Sequence, residues 1–164
     1  MRPPPVHHRW QRGFSMVELV LVMMIMGILT SLAVPKVFSL ITDVEERTVT
    51  ERLVEDLTYL RNYAITYHDT TWLVVDVGSN QYGLYVGPDA LSRTLIPDPM
   101  TGSSAVVDLG TEYDNTSITS ASFGGSAEVS FNWWGVPSSS GSVVINGDQT
   151  IQVVAGTGLA YEAP

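Results

Sequence analysis

Residues 14–34 read FSMVELVLVMMIMGILTSLAV, an apolar run with one charged residue, Glu18, and no proline. As a helix, a run of this length rises roughly 30 Å at about 1.5 Å per residue, which matches the hydrocarbon layer of a membrane. Residues 20–29 contain no polar side chain, so such a helix is apolar on every face. The run therefore predicts a transmembrane helix over residues 14–35.

The flanks of this run differ sharply in charge. Residues 1–13, MRPPPVHHRWQRG, hold three arginines and no acid. Positive charge beside the first apolar segment predicts that this end stays in the cytoplasm and that the rest of the chain lies across the membrane. From Lys36 onward there are five basic and 16 acidic residues, a net charge of −11. This excess of acids argues against binding nucleic acid, which needs clustered Lys or Arg.

Residues 36–69 predict an amphipathic continuation of the helix. Pro35 removes a backbone donor and predicts a kink at the junction. Beyond it, apolar residues recur at steps of three and four, which is the period of a helix with one buried face. These are Val37, Ile41, Val44, Val49, Leu53, Leu57, Leu60, Ala64 and Tyr67. The charged residues, among them Glu45, Glu46, Glu51, Arg52 and Glu55, are placed on the opposite face.

Residues 70–164 predict a β-rich domain. Six short runs rich in β-branched and aromatic residues read as strands, at 71–77, 81–87, 105–109, 128–133, 142–146 and 149–155. Gly78-Ser79-Asn80 and Asn146-Gly147-Asp148 have hairpin turn chemistry. Residues 88–104 and 110–126 are polar and aperiodic and are interpreted as surface loops. A helix packed on antiparallel strands defines an α+β fold.

The junction of basic leader and apolar run, Arg12-Gly13-Phe14-Ser15-Met16-Val17-Glu18, resembles the processing site of type IV prepilins and type II secretion pseudopilins. The resemblance implies that a membrane aspartyl peptidase cuts between Gly13 and Phe14 and that Phe14 is then N-methylated. Glu18 becomes the fifth mature residue, and Pro35 stands where these families carry a helix-breaking proline. Residues 1–13 are then a prepilin leader, and residues 14–35 are the membrane and assembly helix.

The charge of Glu18 supports this resemblance on physical grounds. A carboxylate near the centre of a membrane helix costs about 2.5–3.5 kcal/mol, and somewhat less toward the end, so it usually has a partner. Cleavage after Gly13 creates an α-amino group on Phe14, and a carboxylate from an adjacent subunit can neutralise it. Glu18 is therefore expected to set the axial register of packed helices. The alternative is that Glu18 sits at headgroup level on a simple signal anchor.

A second resemblance covers the C-terminal third. Phe131-Asn132-Trp133-Trp134-Gly135-Val136-Pro137, followed by a hairpin and Gly156-Thr157-Gly158, is similar to the closing pattern of the minor pseudopilin H and FimT family. An arginine often follows the last glycine in that family, whereas this chain has Leu159-Ala160. No Lys or Arg occurs after Arg93, so the DNA capture associated with some FimT-like members is not expected here.

Residues with catalytic or metal-binding potential are scattered. His7 and His8 fall in the leader, and His68 is isolated at the predicted helix end, where a surface or capping role is expected. Loop acids could offer oxygen ligands to calcium, but their spacing matches no calcium loop; they are Asp89, Asp98, Asp108, Glu112 and Asp114. No nucleophile elbow occurs, and no histidine follows His68. We expect no enzyme activity, no metal and no cofactor.

Two adjacent tryptophans are the remaining feature of note. Trp133 and Trp134 are expected to alternate faces on a strand, one in the core and one exposed as a contact for a neighbouring subunit or exported cargo.

Together these features predict a minor pseudopilin of a type II secretion pseudopilus. It would be a single-pass protein of the bacterial inner membrane with a periplasmic C-terminal domain, incorporated into a periplasmic filament. Its partners would be other pilins or pseudopilins and a prepilin peptidase and methyltransferase. One alternative is a FimT-like minor pilin of a type IV pilus or DNA-uptake filament. Another is a signal-anchored periplasmic binding protein or enzyme, which would keep an intact N-terminus.

Overall fold

The long N-terminal helix is continuous in the computed structural model, which describes residues 14–97, 102, 106–113 and 115–163. Helix α1 spans Met16–Tyr67 and starts where the carbonyl of Ser15 accepts hydrogen bonds from the N–H groups of Glu18 and Leu19, at 3.0 and 3.1 Å. It is helical across Pro35, so both predicted helical segments form. It ends where His68 takes a left-handed backbone with φ of 54°, a common conformation just past a helix C-terminus.

The transmembrane span predicted over residues 14–35 stays a prediction. No helix among residues 14–97, 102, 106–113 and 115–163 is both long and apolar enough to cross a membrane.

Contacts divide the chain into two compact units, one up to Leu40 and one from Ile41 onward. The second unit contains the C-terminal part of α1 and two antiparallel sheets. Its elements are β1 (Thr71–Asp76), β2 (Gln81–Val86), β3 (Thr94–Leu95), β4 (Val106–Asp108), α2 (Leu109–Glu112), β5 (Ile118–Phe123), β6 (Glu128–Phe131), β7 (Gly141–Ile145), β8 (Gln149–Val153) and β9 (Ala160–Ala163). The α+β prediction is confirmed.

The first sheet has the order β3-β2-β1-β6, with β4 also paired to β2, and the second has the order β5-β7-β8-β9. Both hairpins predicted from turn chemistry are present. Asn80 and Asn146 take left-handed backbones in these turns, with φ of 56° and 50°, and so join β1 to β2 and β7 to β8. Asparagine adopts this conformation more readily than most residues, and here both side chains bond distant segments, Asn80 to Thr116 and Ile118 and Asn146 to Ser117 and Glu46.

The interpretation of residues 88–104 and 110–126 as loops is wrong in part. β3 lies in the first segment, and most of α2 and all of β5 lie in the second. β5 reads ITSASF, and its pairing with β7 rather than its hydrophobicity makes it a strand. Asp108 is the N-cap of α2, and its carboxylate accepts hydrogen bonds from the N–H groups of Gly110 and Thr111 at 2.9 and 3.3 Å. The edge strand β9 is also absent from the sequence prediction.

The core lies between the C-terminal half of α1 and the sheets. Val49, Leu53, Leu57, Leu60 and Ala64 are buried, which confirms the middle of the predicted helical stripe. Ile41, Val44 and Tyr67, at its two ends, are exposed instead. Burying one large aliphatic side chain contributes about 1.5–3 kcal/mol, so the stripe is the main attachment of α1 to the β strands. The strands contribute Leu73, Leu84, Val129, Phe131, Val143, Ile145 and Ile151 to the same core.

Candidate functional site

The N-terminal part of α1 presents an uncovered apolar surface. Phe14 is 80 % exposed, and the large apolar side chains between Met16 and Leu32 are 45–86 % exposed. These are Met16, Val17, Leu19, Val20, Leu21, Val22, Met23, Met24, Ile25, Met26, Ile28, Leu29 and Leu32. Exposed apolar surfaces of this extent mark sites that contact a protein or a membrane.

Glu18 is the exposed acid in the first turn of this helix. It is the third helical residue, where free backbone N–H groups and the helix dipole favour a negative charge. Ser15 stands three residues before it, the spacing of a helix capping box. A carboxylate is therefore favoured at this turn of α1, one turn from the position of Phe14.

The other predicted processing residues are only partly described. Gly13 and the rest of the leader, including His7 and His8, lie outside the described residues. Pro35 lies within α1, whose helical assignment is unbroken there, and the kink stays a prediction. The roles of Gly13, Phe14, Glu18 and Pro35 therefore stay predictions.

Two glycines of the C-terminal pattern, Gly135 and Gly158, lie close together in space. Phe131 is fully buried. A Cβ at Gly135 would lie 2.7 Å from Cδ1 of Ile65, and one at Gly158 would lie 2.3 Å from the carbonyl oxygen of Gly135. Both glycines have positive φ, 75° and 65°. The two glycine loops therefore stack on the last turns of α1, where a side chain would be strained by the positive φ and, at Gly158, would also clash with backbone.

The prediction for the tryptophan pair is wrong. β6 ends at Phe131, and Trp133 and Trp134 lie in the turn that follows, both exposed, at 47 % and 66 %. Their ring centroids are 4.3 Å apart, and the ring of His68 lies 6.1 Å from that of Trp133. Asn132 shapes this turn, because its side-chain oxygen accepts hydrogen bonds from the N–H groups of Trp134 and Val136 at 3.0 Å each. Both rings are therefore available at the surface.

The sequence pattern does not predict the polar contacts between α1 and the β domain, because it places the charged residues of α1 on a face exposed to solvent. Asn115 and Asn146 donate to Glu45 and Glu46, at 3.1 and 2.5 Å. Arg52 pairs with Glu112, and its side chain is only 19 % exposed. Charge periodicity could not reveal these pairs, because the partners lie 60–100 residues away.

A further contact between α1 and the β domain involves a buried tyrosine, Tyr82, and raises its pKa. The hydroxyl of Tyr82 donates to Oδ2 of Asp56 at 2.6 Å. Burial raises the pKa of Tyr82 well above its ordinary value of 10, and the negative charge of Asp56 raises it further. The hydroxyl therefore stays protonated and keeps donating through the neutral pH range.

Potential metal ligands do not cluster among the residues that the structure describes. That part of the chain holds no cluster of three or more His, Asp or Glu able to bind a metal ion. Asp89 instead accepts hydrogen bonds from the N–H groups of Leu91 and Ser92, and Asp108 caps α2. Asp98 and Asp114 lie outside the described residues.

Two family models match the sequence. The prokaryotic N-terminal methylation motif matches residues 11–34, and the type II transport protein GspH matches residues 49–158. Because the second match spans more than half of the chain, this protein belongs to the type II transport protein GspH family. The predicted membership of the pseudopilin H family is confirmed.

Solved structures agree with this assignment at the level of the fold. Two structures of the minor pseudopilin EpsH from the type 2 secretion system of Vibrio cholerae each match with a TM-score of 0.57. Sequence identity is 11 % and 13 %, and the matches cover 72 % of this chain and 94 % and 92 % of the EpsH chains. A comparison with curated proteins finds no match. The pilin-like α+β fold predicted from the sequence is confirmed.

Proposed function

We propose that this protein is a minor pseudopilin that is processed at the inner membrane and joins a periplasmic type II secretion filament. One observation carries the proposal: a single chain bears the N-terminal methylation motif at 11–34 and the GspH domain at 49–158, in the order that a filament subunit requires. The role is structural, and we propose no enzymatic activity.

The apolar surface of α1 supports assembly by helix packing. In the precursor, residues 14–35 anchor the chain in the inner membrane. In the filament, packed helices from neighbouring subunits replace the lipid around Val20, Leu21 and Ile25. Lipid is as apolar as these side chains, so packing alone gives little preference for one axial position over another.

Glu18 supplies the axial preference in this proposal. Removal of residues 1–13 by prepilin peptidase exposes the amino group of Phe14, which is then N-methylated and remains a cation. The carboxylate of Glu18 neutralises the amino group of an adjacent subunit, which offsets the cost of a charge in an apolar bundle. In one axial register of the helices, the carboxylate of Glu18 and the amino group of Phe14 on an adjacent subunit neutralise each other.

Mass spectrometry of the membrane-extracted protein tests the processing step. In cells with an active prepilin peptidase, we expect a chain that begins at Phe14 and carries one methyl group. Gly13→Leu should block cleavage and leave residues 1–164 intact. Gly27→Leu is the matched control, since a Cβ at Gly27 meets nothing within 4 Å, and it should still be cleaved. An intact wild-type chain beside an active peptidase would contradict the proposal.

A second experiment tests which secretion or pilus system contains this subunit. In the bacterium that carries this chain, we expect a deletion to reduce type II secretion of folded exoproteins and cross-linking to recover other pseudopilins. Loss of twitching or DNA uptake with normal secretion would favour the minor pilin alternative. Retention in the membrane without cross-linking to any pilin-like protein would favour the signal-anchored alternative.

A further inference from the structure

β9 and the C-terminal part of α1 border a groove. The groove has a volume of about 380 Å³ and is lined by Thr50, Glu51, Val54 and Glu55 of the helix and by Ala160, Tyr161 and Glu162 of the strand. β9 pairs with β8 on one side, and within the described residues no strand pairs with its other side. An unpaired strand edge offers a row of free backbone donors and acceptors.

The opposite edge of the same sheet is less suited to adding a strand. β5 has a register irregularity between Ile118 and Ser120, and such bulges discourage pairing with another chain. β9 pairs with β8 in an unbroken register from Ala160 to Ala163. β9 is therefore the regular open edge of this sheet.

Charge around the groove selects the kind of partner. Glu51, Glu55 and Glu162 line it, and the nearby cation is Arg47, whose Nε lies 2.9 Å from Glu51. The net charge of the groove lining is therefore negative, and the chain from Lys36 onward carries a net charge of −11. Val54 and Ala160 add apolar surface to the lining. A lining that combines acidic and apolar side chains complements a strand that alternates basic and aliphatic side chains.

We infer that an extended, lysine- or arginine-bearing segment of another protein binds in this groove by adding a strand to the free edge of β9. Main-chain hydrogen bonds to residues 160–163 supply affinity, and the three glutamates select a basic sequence. The inference goes beyond the proposed function, because it requires neither cleavage at Gly13 nor the assembly of a filament.

The probe is a blocked nine-residue peptide, Lys-Val-Lys-Val-Thr-Val-Lys-Val-Lys, titrated into the full chain in detergent micelles. Binding is followed by fluorescence anisotropy of the labelled peptide and by NMR of the protein. We expect amide shifts concentrated at residues 160–163 and cross-strand contacts between the peptide and that strand. A peptide with Glu in place of each Lys should bind at least about tenfold more weakly.

Two further measurements separate the parts of the inference. The double variant Glu55→Gln/Glu162→Gln should weaken binding of the Lys peptide about fivefold, because it removes two exposed ion pairs, each of which contributes modestly. Asp148→Asn, at an exposed turn outside the groove, should leave binding unchanged. A peptide N-methylated on alternate amides should lose most binding, because it cannot complete the ladder.

Several outcomes would overturn the inference. Equal binding of the Lys and Glu peptides would refute charge selection, and equal binding of the methylated peptide would refute strand addition. Peptide-induced shifts that avoid residues 160–163 would refute the location. Circular dichroism of each variant verifies that a loss of binding does not reflect unfolding.

Discussion

Gly158 packs against the backbone of Gly135 so closely that a Cβ at Gly158 would lie 2.3 Å from the carbonyl oxygen of Gly135. The same Cβ would lie 3.2 Å from Cδ of Arg61 on α1. Two loops 23 residues apart in sequence thus meet on one turn of the helix. This contact gives the two glycines of the C-terminal pattern a physical meaning: it packs both of their loops against α1.

We expect Gly158→Ala to lower the free energy of unfolding by about 2–4 kcal/mol, because it adds a clash with backbone to a left-handed conformation. Gly156→Ala is the matched control. Gly156 also has positive φ, 84°, but a Cβ there meets nothing within 4 Å. We therefore expect Gly156→Ala to lower the free energy of unfolding by only about 1 kcal/mol. Urea unfolding followed by tryptophan fluorescence measures both. Equal losses for the two variants would show that the contact with Gly135 is unimportant.

We expect Tyr82→Phe to destabilise the protein by about 1–3 kcal/mol at pH 7, because it removes a buried donor to Asp56. Tyr161→Phe removes a hydroxyl that bonds Gln152 at the surface, and it should cost less than about 0.5 kcal/mol. Thermal unfolding by circular dichroism compares the two. A similar loss for both variants would contradict the role assigned to the buried pair.

The alkaline limit of stability should depend on the same tyrosine. The pKa of Tyr82 is raised by burial and then by Asp56, so above pH 10 the unfolded chain loses the proton before the folded protein does. The stability from this group is full below pH 10 and is lost as the pH rises beyond it. Tyr82→Phe should therefore flatten the fall of unfolding free energy between pH 10 and 11. An unchanged slope would contradict this assignment.

We expect Trp134→Ala to change stability by less than about 0.5 kcal/mol, because its ring is exposed in a turn. Trp72→Ala should lower the free energy of unfolding by about 2 kcal/mol or more. Trp72 donates from Nε1 to the carbonyl of Gly87 at 2.8 Å, and the guanidinium of Arg93 lies 5.3 Å from its ring centroid. Chemical unfolding of each variant tests the contrast. A large loss for Trp134→Ala would mean that the tryptophan pair supports the fold.

We expect Glu18→Ala to reduce incorporation into filaments by at least about tenfold, because an uncompensated amino group would remain in the bundle. Asp43→Asn, an exposed acid farther along α1, should incorporate normally. Cross-linking of sheared filaments measures incorporation, and membrane fractionation verifies that each variant is inserted. Normal assembly of Glu18→Ala would remove the proposed role of this carboxylate.

Local patterns predicted a good share of the structure. Apolar residues at three- and four-residue steps predicted the helix and its buried stripe from Val49 to Ala64. Asn80 and Asn146 marked the two hairpins because turn conformations depend on a few adjacent residues. The register of Gly13, Phe14, Glu18 and Pro35 indicated the family for a similar reason, since a processing site is read along a short stretch of chain.

Other elements lacked a local signal. β5 is rich in Ser and Thr, and β9 is a four-residue edge strand, so neither has the apolar alternation of a buried strand. The tryptophans after β6 were misplaced because apolar content extends past the point where Asn132 turns the chain. Both tryptophans are exposed because the turn carries them away from the core, although their hydrophobicity favours burial.

Contacts along the chain are enough to specify the helix, the hairpins and the apolar N-terminal run, because hydrogen bonds and periodicity within about ten residues decide them. Three-dimensional packing alone decides that Gly158 rests on Gly135, that Tyr82 donates to Asp56 and that α1 and β9 enclose an acidic groove. Each of these features joins segments far apart in sequence. Their energies come from shape and burial, which exist only after the sheets close on the helix.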